Sequence, residues 1–373
     1  MKLKIKRELL LEGLNKVSKA ISTKNLIPVL SGIKFELSKE GLVLTASDND
    51  IFIQYKIEEL EEMEVIEEGS IIIQGKYIID IVRKLSEEFI NIEVYDDLKI
   101  LIYTPNSEFN LNGIKKEEYP IINLEMSKNP ILINIKEFKS LVNQTSFATA
   151  TDETRVVLTG VNIKIVGNIL ECNSTDSYRL ARKIIKLTNT VEENYNIVIP
   201  SKNIIEFSRL LSDSKENMEI HIFNNKILFK DNNLLFQSRL INGTYPNTSN
   251  LIPDDALVKI TVNINDFYDV IDRASILTSE REKNIVMLET IDNMLYVRSF
   301  AEELGRVEEK MLVNKNNNEN IKISFSAKYM IEALKSFEGL NVELAFLSDV
   351  KPIIIKDTDD EGLIQLVLPI RTY

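Results

Sequence analysis

Hydrophobic and polar positions change period at regular intervals along the chain. Three stretches open with a few alternating residues and pass at once into a three-to-four spacing: 2–6 into 7–21, 131–135 into 136–147, and 258–264 into 265–276. Alternation sends successive side chains to opposite faces of a strand. Apolar pairs three apart, Leu11/Leu14, Phe138/Leu141 and Phe267/Val270, instead give a helix one buried face. The pattern predicts a strand followed by a helix, three times. Between these openings lie short alternating runs such as Ile92-Glu93-Val94 and Lys99-Ile100-Leu101-Ile102-Tyr103, bounded by Asp96-Asp97 and Asn224-Asn225, which predict strands and turns.

The recurrence extends to the residues themselves. Gly75-Lys76-Tyr77-Ile78-Ile79-Asp80 returns as Ser201-Lys202-Asn203-Ile204-Ile205-Glu206 and as Ala327-Lys328-Tyr329-Met330-Ile331-Glu332, a spacing of 126 residues both times. Tyr119-Pro120 returns as Tyr245-Pro246 at the same spacing. A strand running into an acidic turn occurs at Leu44-Thr45-Ala46-Ser47-Asp48 and at Cys172-Asn173-Ser174-Thr175-Asp176; its third copy, Val297-Arg298-Ser299-Phe300, lacks the aspartate. The period exceeds that of stacked solenoid repeats (roughly 20–50 residues) and suits whole domains. Proline and polar residues cluster near Asn129-Pro130 and Pro253-Asp254. The expectation is an α+β chain of three tandem copies of one domain, over 1–128, 129–253 and 254–373, each reading strand, helix, strands, helix, strands.

Composition narrows the function. With 44% hydrophobic residues, 27% charged, 12 Gly and 9 Pro in 373, the chain is globular rather than collagen-like or disordered. Its apolar runs fall far short of the roughly 18 residues of a membrane span, and the basic start runs into only three consecutive leucines, so a cytoplasmic protein is expected. One cysteine, Cys172, and one histidine, His221, cannot build a disulfide or a His/Cys metal cluster. No phosphate loop and no nucleophile with a base is present, so no catalytic residue, metal or cofactor is assigned. The turn at 357–362 reads as a hairpin, Asp48-Asn49-Asp50 as an Asx turn, and His221 as a structural side chain of a strand.

The net charge of −12 argues against nucleic acid, but it is unevenly spread: −7 over 1–127, +3 over 128–253 and −8 over 254–373. Basic residues recur seven apart in the second helix of each copy, at Lys76/Arg83, Lys202/Arg209 and Lys328/Lys335, which places each pair on one helix face. Lys16, Lys19, Lys24 and Arg273 add first-helix charge. The competing reading is that Lys76, Lys202 and Lys328 pair with Asp80, Glu206 and Glu332 four residues on. A carboxylate enzyme built on Asp48, Asp176 or the 357–361 cluster is a further alternative, weakened by the missing third aspartate.

Three tandem α+β copies combined with Thr175-Asp176-Ser177-Tyr178-Arg179-Leu180-Ala181, Leu158-Thr159-Gly160-Val161, Gly243-Thr244-Tyr245-Pro246 and the closing Leu368-Pro369-Ile370-Arg371 resemble the bacterial DNA polymerase III beta subunits, the sliding clamps, over the whole chain. The resemblance implies a head-to-tail homodimer closed into a ring, with helices lining the hole and sheets outside. Such a protein encircles double-stranded DNA without reading sequence and does no catalysis. It keeps the polymerase III catalytic subunit, the clamp loader and other polymerases and repair proteins at the template through a short hydrophobic peptide. Carried over position by position, and joined by the repeat argument, the DNA contacts are Lys24, Lys76, Arg83, Arg155, Lys202 and Arg209. The peptide pocket comprises Leu158, Thr175, Tyr178, Arg179, Leu180, Pro246, Leu251, Leu366, Leu368, Pro369, Ile370 and Arg371, with Arg179 and Arg371 offered to the peptide's polar atoms. The ring interface pairs Lys99 and Phe109 with Ile276, Leu277, Glu302 and Glu303. The resemblance further implies a cytoplasmic, nucleoid-associated protein. Two departures stand out: Val156 and Val157 replace aromatics of some family members, and Ser177 stands where glycine is common. The alternative function is a triplicated protein-interaction scaffold with no DNA threaded through it.

Overall fold

The computed structural model describes residues 1–21, 27–58, 61–95, 98–252, 256–279 and 284–371; Lys24, the Pro253-Asp254 boundary and Tyr373 lie outside the described residues. Six helices fall where the pattern places them: α1 (Arg7–Val17), α2 (Gly75–Lys84), α3 (Ile135–Thr145), α4 (Ser201–Leu210), α5 (Ile264–Ser275) and α6 (Ala327–Leu334). The first helices of the first two copies stop short of their expected ends. The final turns tighten into 3₁₀ segments, Ser18–Ala20 and Ser146–Ala148. In α3 the cause is local: Thr145 Oγ1 donates back to the Leu141 carbonyl at 2.7 Å, which competes with regular helix.

The chain forms two compact units, 1–135 with 206–240, and 136–205 with 241–373. The first unit holds a five-stranded antiparallel sheet in the order Met63–Glu67, Lys2–Lys6, Phe89–Tyr95, Lys99–Thr104, Ser107–Asn112. Its eight-stranded sheet runs Ile131–Asn134, Asn217–Ile222, Lys226–Asp231, Leu234–Arg239, Ile51–Glu58, Gly41–Ser47, Gly32–Ser38, Gly69–Gln74. The register between the middle pair, with Phe236 opposite Ile53, joins strands of two sequence copies into one ladder. Leu10, Leu14 and Val17 of α1 and Ile78 and Val82 of α2 are buried here. Phe207, Phe229 and Phe236 cluster with ring centroids 4.4–6.3 Å apart.

The second unit repeats the plan. A seven-stranded sheet runs Gly160–Thr175, Arg179–Pro200, Leu363–Val367, Ile353–Asp357, Asn341–Phe346, Val258–Asn263, Asn314–Lys315, and again crosses between copies where Leu180 stands opposite Leu366. A four-stranded sheet runs Gly305–Leu312, Met294–Ala301, Ile285–Ile291, Lys322–Ser326. Phe267, Val270 and Ile271 of α5 and Met330 and Leu334 of α6 fill the core with Phe325 and Phe346. At roughly 1.5–3 kcal/mol per buried apolar side chain, this burial is the main stabilising term.

The repeated phrase has a steric cause at its first position. A Cβ on Gly75 would come within 2.4 Å of Ile21 Cδ1 and 3.1 Å of the Ser31 carbonyl; its counterparts Ser201 and Ala327 are also small and buried. The expected turns form as well. Residues 357–362 close the hairpin between Ile353–Asp357 and Leu363–Val367. His221 is buried in its strand: its Nδ1 accepts the Ser127 N–H at 3.0 Å, and Nε2 lies 3.2 Å from Glu219 Oε2. Burial lowers its pKa below the ordinary value of 6.5, with Glu219 opposing.

Candidate functional site: a peptide-sized cavity, basic helix faces and two open sheet edges

Thr175 ends a strand and Asp176 turns it. Asp176 Oδ1 accepts the N–H groups of Tyr178 (2.9 Å) and Arg179 (3.0 Å), so the chain reverses over Ser177, whose φ is +78°. The left-handed backbone explains why glycine suits this position, and the short polar serine is accommodated. The same turn exists in the first copy, where Asp48 Oδ1 accepts from Asp50 and Ile51 and Asn49 has φ +80°. In the second copy it thrusts Tyr178 outward, 58% exposed, and draws Arg179 inward.

Tyr178, Asn284, Ser326, Lys328, Tyr329, Leu368, Pro369, Ile370 and Arg371 line a cavity of about 680 Å³ in the second unit. The segment after Leu363–Val367 forms its wall because it is tied at both ends. Leu368 N–H donates to the Tyr178 carbonyl at 2.9 Å and Ile370 N–H to the Ser324 carbonyl at 2.7 Å, with Pro369 bridging to Phe325. Tyr178 stacks on Tyr329 at 6.5 Å with 20° between the rings. Burial, and next the Asp176 charge, raise the Tyr329 pKa, so its hydroxyl stays protonated.

Five of the twelve expected pocket residues line this cavity. Leu180 and Leu366 are buried opposite each other in the sheet. Thr175 is buried and donates its N–H to Tyr245 Oη at 2.9 Å; burial raises the Tyr245 pKa. Leu158 packs with Val198 and Tyr245 in a separate apolar cluster that Val157 and Ile241 flank. Pro246 is exposed beside Tyr245, and Leu251 is 47% exposed in a 3₁₀ turn.

Arg179 corrects its expected role. Its side chain is 9% exposed and fully engaged: Nε donates to Asp176 Oδ2 at 2.9 Å, Nη1 to Glu332, and Nη2 to the Phe147 carbonyl at 2.7 Å. The guanidinium also lies 5.3 Å from the Phe147 ring and 4.7 Å from Tyr329. It ties the Asp176 turn to Glu332 and Phe147, while Arg371 is exposed and lines the cavity.

The basic series is exposed at Lys76, Arg83, Lys202, Arg209 and Arg155, the last beside Val156 in the segment Glu153–Thr159. The i,i+4 reading is corrected in the first two copies. Asp80 pairs with Arg83 at 3.6 Å, and Glu206 with Arg209 and Lys19, each at 3.9 Å, while Glu332 binds Arg179. Exposed contacts of that length contribute roughly 0–1 kcal/mol and leave the cations accessible. Lys16 and Arg273 are committed elsewhere, to Glu12 at 2.8 Å with the Tyr55 ring at 4.1 Å, and to Glu309 at 2.8 Å. Lys328, third in the lysine series, lines the cavity.

Among the described residues, two outer strands carry or adjoin the residues expected at the ring interface. Ser107–Asn112 is the outer strand of the five-stranded sheet and carries Phe109, 36% exposed, with Lys99 exposed on its neighbour. Gly305–Leu312 is the outer strand of the four-stranded sheet; Glu302 and Glu303 sit in the turn before it, Ile276 is 71% exposed and Leu277 half-buried.

Comparison with known proteins fixes the lineage. DNA polymerase III beta subunit descriptions match in chain order: the N-terminal domain over residues 1–124, the central domain over 132–247 and the C-terminal domain over 249–371. The chain belongs to the DNA polymerase III beta subunit family. Relatives named beta sliding clamp from Staphylococcus epidermidis and Staphylococcus aureus are each 38% identical over 377 residues, covering both chains completely. The crystal structure of the DNA polymerase sliding clamp from Bacillus subtilis matches with a TM-score of 0.96 at 39% identity, and that of the DNA polymerase III beta chain from Streptococcus pneumoniae with 0.95 at 33%, each over the full length of both chains.

Within this sliding-clamp chain, sequence reasoning missed several residues. Asn284, Ser326, Lys328 and Tyr329 line the cavity; the last two lie inside the repeated phrase, so their helix was legible while their surroundings were not. Phe300, Leu304 and Leu312 are each more than 70% exposed on and beside the second open strand; Phe300 and Leu312 share their face with Arg298, Arg306, Glu308 and Lys310, so the alternation over 294–312 gave no apolar signal for them.

Proposed function

We propose that two copies of this clamp-family chain meet head to tail, Ser107–Asn112 of one against Gly305–Leu312 of the other, and close a ring around duplex DNA. The observation that carries the reading is the pair of open strands flanked by exposed apolar side chains. An unpaired strand edge is a template for another chain, and a heterologous contact whose rotation closes makes a ring. Phe109 packs against Ile276, Leu277, Phe300 and Leu304, and Lys99 meets Glu302 and Glu303 at the rim. The three sequence copies, over 1–128, 129–253 and 254–373, act as the ring's domains.

Lys76, Arg83, Arg155, Lys202 and Arg209 contact DNA phosphates, and Lys24 joins them by the family resemblance. Contacts of this kind neutralise the backbone without reading bases, which lets the ring slide. The acidic remainder is screened from the axis over a Debye length of about 8 Å. The protein supplies topology rather than catalysis. The cavity at Tyr178, Tyr329 and Leu368–Arg371, together with the Leu158 cluster, Pro246 and Leu251, takes a short hydrophobic peptide of the polymerase, the clamp loader or repair proteins. Its aliphatic walls desolvate apolar anchors and Arg371 meets polar atoms. The place of work is the nucleoid in the cytoplasm. A scaffold without DNA is not favoured by full-length matches to sliding clamps.

The test is light scattering for the dimer, followed by retention on circular and linearised DNA after loading. Retention on circles with loss from linear ends is expected. A monomer, or equal loss from both DNAs, overturns the ring.

A further inference from the structure

Asparagine precedes glycine at two places, Asn112-Gly113 and Asn242-Gly243. At such a pair the glycine nitrogen is unshielded by a Cβ and the backbone is free to bring it to the asparagine side chain, itself among the chemically labile residue types. The structure treats the two sites differently. Gly113 donates its N–H to the Leu98 carbonyl at 2.7 Å, and a Cβ there would meet Ile71 at 2.7 Å and Ile100 at 3.0 Å, so this peptide is bonded and packed. Asn242, Gly243 and Thr244 are all exposed. Among the described residues neither the Gly243 N–H nor the Asn242 side chain makes a hydrogen bond. Gly243 has φ +134°, and a Cβ on it would find nothing closer than Val157 at 3.8 Å.

We propose that Asn242 is a site of spontaneous modification to aspartate and isoaspartate, with water as the co-reactant. The Gly243 nitrogen forms a bond to Asn242 Cγ, the Cγ–Nδ2 bond breaks, and the Gly243 proton leaves with the amide as ammonia. Water then opens the cyclic imide at one of its two carbonyls; nothing is oxidised or reduced. Both products add a negative charge, and isoaspartate also inserts a methylene into the main chain.

The position gives the change a consequence. On one side Ile241 donates its N–H to the Val198 carbonyl at 2.8 Å and packs beside Leu158; on the other Tyr245 is buried and accepts the Thr175 N–H. A longer main chain between these two anchors loosens one of them, so modification couples to the Leu158–Val198–Tyr245 cluster.

The experiment ages the full-length protein in mildly alkaline buffer. Both sites are followed by peptide mass mapping and isoaspartyl methyltransferase labelling, beside free synthetic peptides of the two sequences. Asn242 is expected to convert within about tenfold of its free peptide, and Asn112 more than about tenfold slower than its own, since reaction there first requires breaking a backbone hydrogen bond in a packed segment. An Asn242 that stays intact while its free peptide converts, or an Asn112 that converts as fast as Asn242, overturns the proposal.

Discussion

The guanidinium of Arg179 lies 4.7 Å from the ring centroid of Tyr329. A buried cation so placed joins the turn at Asp176 to helix α6 through Glu332, and the cavity wall built on Tyr329 depends on it. Arg179→Ala should lower stability by about 3 kcal/mol, because it leaves Asp176 and Glu332 without their partner. Arg179→Lys should recover only part of this, since an ammonium cannot bridge two carboxylates and a carbonyl in one plane. Urea unfolding gives the stability, and fluorescence anisotropy with a hydrophobic clamp-binding peptide gives the affinity. Wild-type stability in Arg179→Ala would show the network to be incidental.

Charge reversal on α4 tests the DNA face. Lys202→Glu with Arg209→Glu should leave the dimer intact and reduce retention on circular DNA. The slope of log affinity against log salt should fall by about one for each phosphate contact removed. Unchanged slope and retention would take these two residues out of the DNA contact.

The open strand Gly305–Leu312 tests the ring. Leu304 is 71% exposed in the turn before it, so Leu304→Asp should cost little in a monomer and much at an apolar contact. The expected result is a halved mass by light scattering with an unchanged far-ultraviolet circular dichroism spectrum. A dimer of wild-type affinity would place the contact elsewhere.

His221 gives a pH dependence with a definite sign. Its folded pKa lies below 6.5, so as pH falls through 6.5 the unfolded chain takes up a proton that the folded chain does not, and stability falls. Above 6.5 the imidazole is neutral in both states and the full contribution is present. His221→Gln, which keeps an acceptor for the Ser127 N–H, should flatten this part of the profile. Thermal midpoints of both proteins across mildly acidic and neutral buffers check it; parallel curves would assign the acid sensitivity to other groups.

Much of the fold was legible because it repeats. The change from two-residue to three-to-four-residue spacing, and a phrase returning at 126 residues, located the strand-helix openings and the six α-helices of the described residues to within a few residues. Asp176 and Asp48 were readable as turns because an Asx side chain bonds to its own backbone two and three residues on, a purely local event.

What a side chain does with its charge was decided elsewhere. By sequence Lys76, Lys202 and Lys328 are equivalent, yet the third lines a cavity because Tyr178 and the Leu368–Arg371 segment come from distant parts of the chain to meet it. Arg179 looked like a ligand contact. It is buried because Glu332, 153 residues away, and the Phe147 carbonyl close around it. Periodicity and recurring residues are local records, and they determined the repeat, the helices and the exposed basic series. Which elements bury an apolar face, and therefore which charges are consumed internally, depends on contacts between residues far apart in sequence, and only the tertiary structure decided them.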